Sequence, residues 1–200
     1  MEKEKELHAA AESGKVEKVK EILKANLNLN VNWKYEGVLS WNQNALVAAA
    51  EKGHDAVVAV LLAHPKIDVN LLDYSGKSAL MWSCTNGHTA CAKALLLDNR
   101  VHVSTPVVKG FTSVQWAVYG GHLDIVKWWI ALGREMDPAE LLEEATKYSQ
   151  SQLVSLLKSL LDFPSKTWIA LRRELQFTGK CSLRDWFRGF PPVGNLSFLT

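Results

Sequence analysis

ALVAAAEKGH (residues 45–54), ALMWSCTNGH (79–88) and SVQWAVYGGH (113–122) are three copies of one phrase, each closing on Gly-His. Successive copies start 34 residues apart. After each comes a second apolar run: DAVVAVLLAH (55–64), TACAKALLLD (89–98) and LDIVKWWIAL (123–132). Within these runs the apolar residues fall at helical spacing, as in Val57, Val58, Val60, Leu61 and Leu62, or Ile125, Val126, Trp128, Trp129 and Ile130. Two short helices repeated at a fixed period describe a solenoid, in which each unit buries its apolar face against the next. Small residues at one phase of the first helix (Ala10, Ala49, Ser83, Ala117) let neighbouring units approach closely. The glycines end that helix by taking the left-handed conformation.

The pattern extends in both directions. ELHAAAESGKVEKVKEILKA (6–25) is an earlier copy, with about five extra residues between it and the next, around Trp33–Ser40. Downstream, Pro138–Tyr148 and Gln152–Leu161 read as the two helices of a degenerate fifth copy without a finger. A polar terminal copy is what a solenoid needs to shield its last apolar face.

The phrases Asp73-Tyr74-Ser75-Gly76-Lys77-Ser78-Ala79-Leu80, Leu7-His8-Ala9-Ala10-Ala11 and Ile67-Asp68-Val69-Asn70 resemble the ankyrin repeat, whose pattern is roughly D-x-x-G-x-T-P-L-H-x-A-A-x-x-G-H followed by a second helix. Thr-Pro-Leu-His is nowhere intact: only His8 keeps the helix-starting histidine, which is Val47, Met81 and Gln115 later on. The resemblance implies a mainly α fold, an ankyrin-repeat solenoid of stacked helix-turn-helix units with β-turn fingers. The repeats are expected at 4–33, 34–71, 72–105 and 106–137, with a degenerate cap at 138–162, giving a repeat domain over 1–162. Residues 163–200 form an extension that packs on or follows the last repeat.

Composition sets the limits. The chain has 200 residues, 48% hydrophobic and 22% charged, with a net charge of +2 and eight Trp. That apolar content excludes disorder for the bulk of the chain, and no stretch approaches the 18 or so uninterrupted apolar residues of a membrane span. The charged N-terminus lacks a signal peptide's apolar core, and the three cysteines (Cys84, Cys91, Cys181) are too few for a disulfide scaffold. A cytoplasmic or nuclear location is expected. The basic excess is confined to the extension, where six Lys and Arg stand against Glu174 and Asp185. That is a docking or packing segment rather than a nucleic-acid site.

No catalytic motif is present: G-x-S-x-G, H-E-x-x-H and the phosphate-binding loop are all missing. His54, His88 and His122 lie in separate repeats, about 10 Å apart by helix spacing, and do not converge on a metal. Cys84 and Cys91 read as small buried hydrophobes. No cofactor is expected. The resemblance instead implies a non-enzymatic, monomeric module that binds another protein through finger tips and the concave face of the first helices. By phase, the contact residues are Trp41, Gln43 and Lys52 in the second repeat, Tyr74, Lys77 and Asn86 in the third, and Lys109, Phe111 and Tyr119 in the fourth. Aromatics anchor interfaces, and the lysines among them favour a partner with acidic character.

Trp82 and Trp116, at equivalent phases, are expected to stack along the array. Of Trp128 and Trp129, one should face the core and the other the outer surface or the extension. Two further readings concern residues 163–200. Arg172-Arg173 and the stretch from Phe190-Pro191-Pro192 to Phe198-Leu199 loosely resemble the box that follows ankyrin repeats in some ubiquitin-ligase receptors. Alternatively, the extension caps the protein's own groove, as in a scaffold.

Overall fold

The computed structural model describes residues 1–35, 42–104 and 110–177. Among them are eleven helices and no strand. The helices pair along the chain as α1 (Glu2–Glu12) with α2 (Val16–Ala25), α3 (Ala45–Lys52) with α4 (Asp55–Leu62), and α5 (Ala79–Asn86) with α6 (Thr89–Leu97). Next come α7 (Ser113–Tyr119) with α8 (Leu123–Leu132), then α9 (Pro138–Lys147) with α10 (Ser151–Asp162). The first helices stack as one layer, α1 on α3 on α5 on α7 on α9. The second helices α2, α4, α6 and α8 stack as the other. The molecule is a helical repeat solenoid.

From α3 onward, each first helix starts at a small polar N-cap residue. Asn44 Oδ1 accepts from Val47 N at 2.9 Å, and Ser78 Oγ accepts from Met81 N at 3.3 Å. In the next repeat Gln115 Oε1 reaches back to accept from Thr112 N at 2.7 Å. Asn44, Ser78 and Thr112 stand 34 residues apart, so capping chemistry persists at the phase where the Thr-Pro-Leu-His phrase has been lost. The small residues then do what their phase requires: Ala49, Ser83 and Ala117 are fully buried between layers.

The Gly-His pairs lock one repeat to the preceding one. Nε2 of His54, His88 and His122 meets the carbonyl oxygen of Glu12 (3.0 Å), Glu51 (2.9 Å) and Thr85 (3.2 Å). A carbonyl only accepts, so the proton sits on Nε2 and donates. The imidazole lies where the earlier repeat's glycine leaves space. Gly53 has φ +78°, and a Cβ there would fall 2.7 Å from His88 Nδ1. In the fifth repeat Gln150 replaces the histidine, and its Oε1 takes the same place against Gly121.

On the finger side, Asn32 and Asn70 clamp the following repeat. Asn32 donates to Lys66 O and accepts from Asp68 N, and Asn70 donates to Arg100 O and accepts from His102 N, all at 2.8 Å. These bonds hold the exits of successive repeats at constant spacing, so the inter-helix loops form an ordered row.

At the C-terminal end the layering changes. Phe163 separates α10 from α11 (Pro164–Glu174), which packs on both α8 and α10. Trp168 and Leu171 of α11 are buried, and Arg172 covers the rings of Trp168 and Phe177 at 4.6 and 4.3 Å while donating to Ala131 O at 3.3 Å. Trp129 is fully buried, with its indole N–H donating to Glu135 O at 3.1 Å. Trp128 turns to the extension and meets Phe177 edge-on, with Lys93 Nζ 4.0 Å from its ring centre. The described part of the extension therefore covers second helices and does not enter the face of the first-helix layer. Arg172 and Arg173 fall in the last turn of α11. The remainder of the box-like stretch, with Cys181 and Trp186, lies outside the described residues.

Candidate functional site

The site is built from the finger before α5 outward. Asp73, itself buried, organises this turn: its Oδ1 accepts from Ser75 Oγ (2.6 Å) and Lys77 N (2.9 Å), and its Oδ2 accepts from the indole N–H of Trp82 (2.7 Å). The turn leaves Tyr74 at the tip, 71% exposed. It also fixes the Trp82 ring beside the turn rather than in the core, because the indole N–H must reach a carboxylate.

Lys77 connects two repeats. Its Nζ lies 4.2 Å from the ring centre of Trp82 and 4.5 Å from that of Trp116. The two tryptophans do not stack on one another; an ammonium is held between them. Each contact contributes about 0.5–2 kcal/mol depending on desolvation. Burial lowers the Lys77 pKa, opposed by the charges of Asp73 and Glu51. Expected from the sequence as a partner-contacting cation, Lys77 has its Nζ between the two rings and 3.4 Å from Thr85 Oγ1.

Beyond Trp116 an aromatic run continues. Phe111 packs on Trp116 at 5.5 Å, Tyr119 meets Trp116 edge-on at 5.9 Å, and Tyr148 meets Tyr119 edge-on at 4.8 Å. Tyr119 is 51% exposed. Below the rings, Gln115 Nε2 donates to Glu140 Oε1 (3.0 Å) and Glu144 Oε1 (3.4 Å). Burial and the neighbouring Glu140 charge raise the Glu144 pKa.

The remaining expected contact residues divide. Gln43 is buried, 7% exposed, with Nε2 donating to Glu51 Oε2 at 2.6 Å, so it holds the face together from beneath. Asn86 donates to Glu51 O at 2.9 Å and is exposed, joining α5 to α3. Lys52 is exposed, with Nζ 3.4 Å from Glu51 Oε1. Trp41 and Lys109 lie outside the described residues. The structure thus brings Lys77, Phe111 and Tyr119 together through Trp82 and Trp116, and gathers Gln43, Lys52 and Asn86 around Glu51.

Sequence reasoning passed over Tyr148, Glu140 and Glu144, because the fifth copy read only as a cap. Their spacing i, i+4, i+8 along α9 and its C-cap was the available signal, since residues four apart share a helix side. The free thiols Cys84 and Cys91 are buried away from this face, and burial pushes Cys91 up to about 12, so neither is a thiolate at neutral pH. Among the described residues no group of His, Cys, Asp and Glu has a metal-binding arrangement, and no helix is long and apolar enough to cross a membrane.

Comparison with known proteins adds one finding. The family model described as ankyrin repeats (3 copies) matches residues 7–107 and again residues 65–139, together about two-thirds of the chain. A search of the curated proteins gave no match.

Proposed function

Because the chain belongs to the ankyrin-repeat family, whose repeats are protein–protein interaction modules, we propose that it is a non-enzymatic, monomeric binding protein that grips its partner through the finger tips and the exposed side of the first-helix layer. The observation that carries this reading is the aromatic run across three repeats: Trp82, Trp116, Tyr119 and Tyr148, with Tyr74 standing out at a finger tip. Helix stacking does not require rings there, since alanines fill the inter-helix contact. Preordered aromatics with few rotors bury much area at small entropic cost, which suits an interface anchor. Two free buried thiols support action in a reducing compartment, the cytoplasm or nucleus.

The test is affinity capture from cells with wild type and with Tyr74→Ala/Tyr119→Ala. Both side chains are at least half exposed, so the variant is expected to keep its unfolding midpoint. Partner recovery should fall at least about fivefold, since interface aromatics at hot spots contribute 1 kcal/mol or more each. Undiminished recovery by a folded variant overturns the proposal.

A further inference from the structure

Resting on that recognition reading, we propose that the α7–α9 end of the face receives a basic side chain of the partner protein, best an arginine, lodged between Glu140 and Glu144 and the rings of Tyr119 and Tyr148. Glu140 and Glu144 of α9 and Tyr148 at its C-cap line one side, and Gln115 and Tyr119 of α7 meet them directly. The two carboxylates are one helical turn apart, an arrangement that repels. Neither makes an ion pair among the described residues. Their shared donor, Gln115, is neutral, and Glu144 Oε2 is shielded from solvent with no hydrogen-bond partner.

Among the described titratable groups on α9, Glu143 is a further carboxylate, while Lys147, with its Nζ 5.4 Å from the Tyr148 ring centre, pulls on Glu144 less strongly than burial and the Glu140 charge push the other way. On α7 the facing group is the phenol of Tyr119. Among the described residues of the neighbouring repeat, Lys77 is held by Trp82 and Trp116. Glu140 is exposed and Glu144 half-buried, and the second carboxylate adds to the negative potential of the first. Ring faces of tyrosine attract cations, and a guanidinium can stack on a ring while its fork meets a carboxylate, which an ammonium cannot do. The charge complementarity here is opposite to that suggested by the lysine positions in the sequence.

The experiment is a random-peptide display selection against the full chain, run in parallel on wild type and Glu140→Gln/Glu144→Gln. The expected result is enrichment of peptides with Arg or Lys at one fixed position on wild type only. A synthetic peptide from that pool should bind the double variant at least about tenfold more weakly, as for truncated charge pairs at partly buried interfaces. Glu140→Gln alone, at an exposed position, provides a variant whose fold is not at stake and should give a smaller loss in the same direction. Enriched peptides without a basic residue, or a basic preference retained by the double variant, overturn this inference and leave the recognition reading standing. No enriched peptide on either protein counts against both.

Discussion

At the residue scale, Gly53 shows how a phrase becomes a contact. Its φ of +78° suits glycine, and the missing Cβ makes room for His88, whose Nε2 donates to Glu51 O. Gly53→Ala should destabilise by about 2 kcal/mol, part from the positive φ and part from the clash. In Gly53→Ala/His88→Ala the clash is gone, so the two losses should not add, which urea unfolding of the four proteins would measure. Full additivity would show that the ring and the glycine are energetically independent. His8 offers a second check. It is buried, its Nε2 has no hydrogen-bond partner, and its ring stacks on Tyr35 at 5.2 Å. Burial depresses its pKa below the unfolded value of about 6.5, against a smaller opposing pull from Glu12. The unfolded chain therefore binds a proton more readily, so His8 costs nothing above that unfolded value and lowers stability as pH falls below it. The unfolding midpoint of His8→Gln should drop less than that of wild type between pH 7.5 and 5.5; equal drops would rule this out.

At the element scale, the helices were legible because three copies recur at one period, with a fourth offset by about five residues, and each copy corroborates the next. Asn44, Ser78 and Thr112 keep the caps that the absent Thr-Pro-Leu-His phrase would have supplied, so its loss left the helix starts unchanged. What the pattern could not give was cross-repeat partnership. Trp82 and Trp116 share a phase, yet whether rings stack or flank a cation depends on where Lys77 and Asp73 project. Likewise, the amphipathic face of α11 was readable but its seat on α8 and α10 was not, since a hydrophobic stripe specifies a face and not what covers it. Trp168 is only 6% exposed in that seat, so Trp168→Ala should cost about 3 kcal/mol. The exposed Lys127–Glu174 pair, 2.7 Å apart, should cost under about 1 kcal/mol when Lys127 becomes alanine. Equal effects of the two substitutions in thermal unfolding would mean that α11 is held by charge rather than by packing.

At the scale of the whole molecule, the two layers differ in character. The second-helix layer is closed over at its C-terminal end by α11, whose Arg172 and Glu174 bond to α8 while Trp168 is buried. Among the described residues, the first-helix side carries the exposed Tyr74 and Tyr119, with Lys77 held between two rings toward one end and Glu140 and Glu144, which form no ion pair, at the other. This asymmetry supports the proposed placement of recognition on the first-helix side. The contact residues expected from the sequence at Tyr74, Phe111 and Tyr119 fall on that side, while a count of lysines does not show that Lys77 is held between two rings. The account is tested most directly by calorimetric titration of the captured partner against Tyr74→Ala/Tyr119→Ala and against Phe163→Ala/Ile169→Ala, two exposed apolar pairs on opposite sides of the molecule. It predicts a Kd at least about tenfold weaker for the first pair and unchanged for the second; the reverse pattern would contradict it.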